Sequence, residues 1–378
     1  MCVCDFCIYF GSMKFGLLLA LLSHIYVGWR TYRLLPFPIW AKWLTVCVML
    51  MALLSLVWLF VRNFQGAYHP TLDTILYNVG TSWTIVFLYL LLAFLLLDAG
   101  ILLHLIPKQW GINSARSAIV VFGSVACLLA YGFVHYHSKE RVALQLTTSK
   151  PLPRRLKLVM MSDVHLGYHI GKEEFSQWVN LINSEHPDLI LIAGDIVDIN
   201  LAPIRRQHLA EEFRRLKAPV YACYGNHEHF NPIHEVDQFY AEAGIHTLND
   251  TVAQVLGINL VGRDDRSTGH RATLHSLMNG LDKKRFTLLI DHQPFHLEQA
   301  EREGVDFQFS GHTHKGQVWP ISLITNAIYE KHHGEHRRGN TRYYISSGIG
   351  IWGGKFRIGT SSEYVVLTLS PAQSHQSK

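Results

Sequence analysis

Residues 163–165 read Asp-Val-His, and residues 312–314 read His-Thr-His. Both put two metal-type side chains at i and i+2, and side chains two apart on an extended segment point the same way. Each pair can therefore aim two ligands into one cleft. Asp195, Asn226 and His292 complete the pattern. Each group follows a short apolar run: LVMM before Ser162-Asp163, LILIAG before Asp195, VYACYG before Asn226-His227, TLLID before His292 and FQFSG before His312. In α/β sheets, ligands bind outside the carboxyl ends of strands. A single histidine in such a place reads as a satisfied core or loop residue. Five strand ends that all deliver oxygen and imidazole donors are hard to produce by chance.

Asp163, His165, Asp195, Asn226, His292, His312 and His314 are seven donors without a thiolate. That set suits manganese, iron or zinc better than calcium or magnesium. It is too large for one tetrahedral ion and fits two divalent ions that share a carboxylate. Two ions roughly 3.5–4 Å apart form a clamp for in-line displacement at phosphorus. Gly194, Gly225 and Gly311 precede the donors, where a strand must turn sharply without a Cβ clash.

Strands and helices must alternate to carry these donors. LKLVMM (156–161), DLILIAG (188–194), APVYACYG (218–225), FTLLID (286–291), DFQFSG (306–311), TRYYISSG (341–348) and SEYVVLTL (362–369) read as strands. Phe175, Trp178, Val179 and Ile182 fall on one helix face, and Leu209, Phe213 and Leu216 stripe a second. RVALQLTT (141–148) alternates like a half-buried strand, and KPLPRR (150–155) reads as a stiff connector.

The blocks Asp163-x-His165, Gly194-Asp195, Gly225-Asn226-His227-Glu228, His292 and Gly311-His312-Thr313-His314 resemble the signature of calcineurin-like metallophosphoesterases, over roughly residues 155–370. With the apolar N-terminal half and the Gly-Arg-Asp-Asp turn at 262–265, the chain resembles a membrane-anchored bacterial subgroup. The resemblance implies a four-layer α/β/β/α sandwich with the metals at the sheet edge. It implies that Asp163, His165, Asp195 and His314 hold one ion, and that Asp195 (bridging), Asn226, His292 and His312 hold the other. Asn226 and His227 then meet the substrate, and His227, not itself a ligand, protonates the leaving oxygen or steadies the transition state. Glu228 orients a neighbour or starts a helix. The C-terminal stretch GGKFRIGTSSE departs from the Pro-rich tail of that subgroup, so Lys355 and Arg357 receive no substrate role.

The stretch HHGEH (332–336) matches H-x-x-E-H, a zinc peptidase pattern that needs a helix to align its histidines. Gly334 interrupts it and no apolar stripe runs through it, so it reads as a flexible loop near the cleft mouth.

The remainder of the chain is of another kind. Residues 1–136 carry seven Lys/Arg and three Asp/Glu, against 27 and 26 in residues 137–378. The polar half is nearly neutral, which argues against a nucleic-acid partner. A bilayer crossing takes about 20 apolar residues. Four segments approach that length: Phe15–Trp29, Leu44–Val61, Val79–Leu97 and Ala118–Tyr136. Tryptophans sit near their ends. Asp98 and His104, at the end of the third span, mark the interface or face the bundle interior. Basic residues in the loops place the first and third loops in the cytoplasm, which puts the polar half outside; the lysines and arginines after the fourth span pull the other way. Cys2, Cys4 and Cys7 lack a second pair to complete a metal site, and Met13-Lys14 before an apolar run resembles a natural start.

The expected organisation is a membrane domain (1–136) of about four helices, a linker (137–154), a metallophosphoesterase domain (155–370) and a disordered tail (371–378). The expected activity is hydrolysis of phosphodiester or pyrophosphate bonds by a protein integral to the cytoplasmic membrane. Its anchor holds the cleft near headgroups, so a lipid-linked substrate, such as a UDP-diacylglucosamine-type sugar nucleotide, is one expectation. The competing expectation is a catalytically idle metal-binding module of a membrane sensor or scaffold.

Overall fold

A computed structural model describes residues 3–64 and 69–372, with side chains from residue 18 onward except at 59, 60 and 62–64. It divides into two compact units, residues 1–131 and 132–378.

The first unit is helical. Its helices are α1 (Val3–Leu34), α2 (Ile39–Phe64), α3 (Pro70–Leu102) and α4 (Ala115–His137), and the last turns of α4 belong to the second unit. Among the described residues, Ile39–Trp58, Pro70–Leu102 and Ala115–His137 are long and apolar enough to cross a membrane. The first expected span, and the three N-terminal cysteines, fall wholly or partly outside the described side chains. Asp98 does not stand alone. It pairs with the buried Arg30 at 2.8 Å and accepts the Tyr26 hydroxyl at 2.6 Å.

The second unit holds two six-stranded sheets. Its strands are β1 (Lys139–Thr148), β2 (Leu156–Met161), β3 (Leu189–Ala193), β4 (Val220–Cys223), β5 (Ile245–Thr247), β6 (Thr251–Val255), β7 (Ile258–Gly262), β8 (Thr287–Ile290), β9 (Phe307–Ser310), β10 (Gly334–Arg338), β11 (Thr341–Ile345) and β12 (Ser362–Pro371). One sheet runs β1-β12-β2-β3-β4-β5 and the other β10-β11-β9-β8-β7-β6. The helices are α5 (Lys172–Ser184), α6 (Leu201–Arg206), α7 (Leu209–Phe213), α8 (Ile233–Ala243), α9 (Leu274–Met278), α10 (Glu298–Glu303) and α11 (Ile321–Ile328).

Side-chain alternation builds the layers. Along β2, Leu158 and Met160 point into the core between the sheets, while Val159 and Met161 pack under α5, α7 and α8. Strands β3 and β4 divide in the same way, as buried sheets with two apolar faces require. A third cluster, including Val261, Leu274, Leu289 and Ala300, packs α9 and α10 against the outer face of the second sheet. The result is the expected helix–sheet–sheet–helix sandwich.

Three expectations change. Residues 139–148 are not a linker, because β1 pairs in parallel with β12 from Lys139–Ser362 to Thr148–Pro371. Leu144 and Leu146 thereby enter the inter-sheet core. Residues 334–338 are not a loop but strand β10, paired with β11. Helix α7 ends at Phe213, so Leu216 packs from beyond it. Of the expected disordered tail, Pro371 closes β12, and residues 373–378 lie outside the described residues.

Candidate metal centre

The donors converge where β2, β3 and β4 of one sheet and β8 and β9 of the other end. Asp195 is central. Its Oδ1 accepts the His227 backbone N–H at 2.9 Å, which leaves Oδ2 facing imidazoles: His292 Nε2 at 3.2 Å, His165 Nε2 at 3.7 Å and His227 Nε2 at 4.0 Å. Asp163 Oδ1 lies 3.5 Å from His314 Nε2 and 4.0 Å from His165 Nε2. Three sets of donor atoms each fall within 4.8 Å of one another: Asp163, His165 and His314; Asp195, His292 and His312; and His165, Asp195 and His227. His312 and His314, neighbours in sequence, thus divide between two sets.

The protonation pattern fits cations. His292 Nδ1 lies 2.8 Å from the Ala193 carbonyl, which can only accept, so Nδ1 carries the proton. In the neutral ring Nε2 is then a bare lone pair, buried, without a hydrogen-bond partner and aimed at a carboxylate oxygen. His165 and His314 bring their Nε2 atoms within 3.1 Å of each other. The Asn226 Oδ1 is buried without a partner among the described residues. Acceptor atoms facing one another in this way need a proton or a cation between them. Six of the seven expected donors fall in sets that could hold a cation, with Asp195 in two of the three.

The backbone carries strain at the same place. Asp163, His165, Asp195, His312 and His314 have positive φ, from 47° to 70°. Such conformations cost about 1–3 kcal/mol each and persist where the surroundings over-determine them. The i, i+2 pairs therefore converge through left-handed kinks and not along an extended segment. Only Gly194, at φ +74°, supplies the turn freedom expected of all three glycines. Gly225 and Gly311 serve close approach. A Cβ there would meet Asp195 Oδ1 at 2.2 Å and Asp163 Oδ2 at 2.4 Å.

The electrostatics are divided. Desolvation pushes His312 down to about 4, with His292 adding to the effect, and drives His314 well below the ordinary imidazole range. Both rings are neutral near pH 7, as ligands must be. Burial also opposes charge on His292, yet Asp195 and Asp163 outweigh it and hold that ring well above its usual value. Burial raises Asp163. It also disfavours the charged form of Asp195, but His292 and His227 hold that carboxyl well below its usual range.

Three residues outside the expected set complete the centre. Asp198, fully buried, places Oδ1 3.3 Å from His165 Nδ1 and 3.6 Å from His227 Nδ1, and its carbonyl accepts from His227 Nδ1 at 2.5 Å. Its position three residues after Asp195 is the only signal in the sequence. Glu228 accepts the backbone N–H groups of Asp195, Ile196, Val197 and Gly225 at 2.7–2.9 Å. It ties the loop after β3 to the loop after β4, and it also opens the short 3₁₀ helix Glu228–Phe230, so both expected roles are met. Arg357 is fully buried and donates to the carbonyls of His314, Ser347 and Gly350 at 2.6–2.9 Å. It therefore supports the His314 loop and is not free for substrate, while Lys355 pairs with Glu174 at 2.6 Å. The Gly-Arg-Asp-Asp turn stands beside the centre: Asp264 pairs with His229 at 2.7 Å, and Arg263 with Asp291 at 3.2 Å.

Residues 156–316 match the calcineurin-like phosphoesterase family. This part of the chain is thus similar to a calcineurin-like phosphoesterase domain. The chain is similar to an uncharacterized metallophosphoesterase of Helicobacter pylori strain J99, 30% identical over 226 residues that cover 58% of this chain and 61% of the relative. It is also similar to a "Transmembrane protein with metallophosphoesterase domain" of Danio rerio, 28% identical over 284 residues, 69% of this chain and 64% of that one. The matched region spans less than two thirds of either relative, and the likeness reaches beyond bacteria. A solved archaeal phosphodiesterase overlaps 51% of this chain and 85% of its own at 15% identity, with a TM-score of 0.32, too slight to bear on function. The five blocks that deliver the donors all fall inside the matched residues.

Proposed function

We propose that this protein is a membrane-anchored, two-metal phosphoesterase that cleaves phosphodiester or pyrophosphate bonds. The observation that carries the reading is Asp195 Oδ2, which faces the Nε2 atoms of His292, His165 and His227 and so joins donor sets from both sheets. Asp163, His165, Asp195 and His314 hold one divalent ion, and Asp195, Asn226, His292 and His312 the other. Manganese, iron or zinc in those positions supplies Lewis acidity toward phosphoryl oxygens and an acidified water.

The chain's own residues do the rest. His227 Nδ1 is tied to the Asp198 carbonyl, which fixes the ring and turns Nε2 toward the cluster. Protonated at Nε2, the ring delivers a proton to the leaving oxygen. Asn226 contributes a neutral oxygen beside it and meets the substrate phosphate. Asp198 and Glu228 hold the imidazoles and the two loops in register. The apolar helices of the first unit favour a lipid-linked phosphate or pyrophosphate as substrate, of which a UDP-diacylglucosamine-type sugar nucleotide is one form. The alternative is an idle metal-binding module of a membrane sensor, and the complete donor set speaks against it.

Turnover of a chromogenic phosphodiester by the full chain in detergent, with manganese, iron or zinc supplied, tests the reading. Hydrolysis abolished by Asp195→Asn supports it. A folded, metal-loaded chain that turns over neither diesters, pyrophosphates nor monoesters contradicts it and favours the idle module.

A further inference from the structure

Helix α11 is turned inside out for a water-facing surface. Ser322 and Thr325 are half-buried toward the protein, whereas Leu323, Ile324 and Ile328 are 61%, 55% and 59% exposed. No residue of the helix is buried. Trp319, just before it, is 51% exposed. A contiguous apolar face on an otherwise polar domain marks an interaction site.

Its surroundings name the partner. The Trp319 N–H donates to the Ile358 carbonyl at 2.8 Å, and the neighbouring Arg357 N–H donates to the Gly132 carbonyl of α4 at 3.0 Å. A Cβ on Gly132 would meet the Ile358 side chain at 2.6 Å, so this end of α4 lies in close contact with the 357–358 segment. The root of α11 is thereby fastened to the end of a helix of membrane-spanning length, Ala115–His137. The flanks are basic. Lys315 precedes α11 and Lys331 follows it, and Glu330, the only carboxylate between His314 and His333, is taken by His336 and Arg338 at 3.0 and 2.6 Å. Apolar residues beside a tryptophan, with lysines at the edges, form the pattern of a segment that lies in the headgroup boundary.

The helix also lies beside the loop that carries His312 and His314 at both ends. Its first residues lie against Gly316, two positions after His314, and the Tyr329 ring at its far end is 6.3 Å from His312. We propose that α11 is an interfacial membrane helix that seats Leu323, Ile324 and Ile328 in an anionic bilayer surface and so holds the mouth of the metal centre at lipid phosphates. The docking stands on geometry alone; its consequence for substrate rests on the phosphoesterase reading.

The test uses the full chain, with native cysteines replaced by serine, reconstituted into phosphatidylcholine–phosphatidylglycerol vesicles. A spin label on Ile324→Cys should be more accessible to oxygen than to a water-soluble nickel chelate. A label on Val252→Cys of β6 should show the reverse. A label at 324 that is as open to the chelate as the one at 252 overturns the proposal, as does strong label–label coupling showing that a second copy covers the face. In a second arm, Leu323→Ser with Ile324→Ser should lower hydrolysis of a vesicle-resident phosphodiester on the order of tenfold and leave a soluble chromogenic diester unchanged. Equal losses on both substrates, or none, overturn it. If the parent chain hydrolyses neither substrate, the phosphoesterase reading fails, and the label depth alone decides the docking.

Discussion

Two histidine-rich stretches lie within 25 residues of each other, and they meet opposite fates. In 312–314 both rings aim nitrogens at carboxylates and at other imidazoles. In 332–336 two of the three rings are spent. His333 pairs with Glu363 at 3.0 Å, and His336 with Glu330 at 3.0 Å. His332 contributes its backbone carbonyl to the Thr313 hydroxyl at 2.6 Å. The backbones differ as well: kinked left-handed turns after β9 against the regular strand β10. Histidine density therefore does not mark a metal site. What marks it is donor atoms from several segments gathered within 4.8 Å of one another by strained backbone.

This contrast is open to attack, and the largest effect is expected at its centre. Asp195→Asn removes the shared carboxylate and should lower kcat by at least on the order of 10²–10³ while reducing bound metal below the parent's level. Steady-state kinetics with elemental analysis checks both, and full metal content in the variant breaks the assignment of Asp195. Asp198→Asn touches only the imidazoles. It should cost about 10–100-fold in activity or metal affinity, because the histidines lose an orienting carboxylate. A variant indistinguishable from the parent in both kinetics and metal titration would remove Asp198 from the account.

How much of this was legible in the sequence follows from the same physics. The seven donors stand beside strand ends, and period-2 apolar runs are readable one residue at a time. The sandwich was legible for the same reason. Asp198 was not, because its carboxylate works on histidines about 30 positions away on either side, and for Glu228 only the two alternative roles could be read. Strand β1 alternated correctly, but nothing local disclosed that β12, more than 200 residues on, would be its partner. Arg357 received no role from the sequence. Its burial among carbonyls depends on a loop whose course the sequence does not spell out.

The smaller effects sharpen the contrast. His312 is depressed from its ordinary value to about 4. The unfolded chain therefore takes up its proton first as pH falls, and stability is lost between roughly pH 6.5 and 4. For the chelator-treated protein, Tm should fall from pH 7 to pH 5, and His312→Gln should flatten that fall. An unchanged slope in the variant would show that the ring is not held neutral. Smallest of all, His332→Ala with His336→Ala should leave metal content unchanged and activity within about twofold, as surface substitutions do. Loss of an ion from that double variant would erase the distinction between the two stretches.

The central claim is that distant segments cage a pair of cations around Asp195. Elemental analysis of the purified full chain, saturated with manganese or zinc and freed of excess, tests it most directly. The account requires two ions per chain, falling in Asp195→Asn. One ion or none at saturation, or two that persist when Asp195 is replaced, would contradict it.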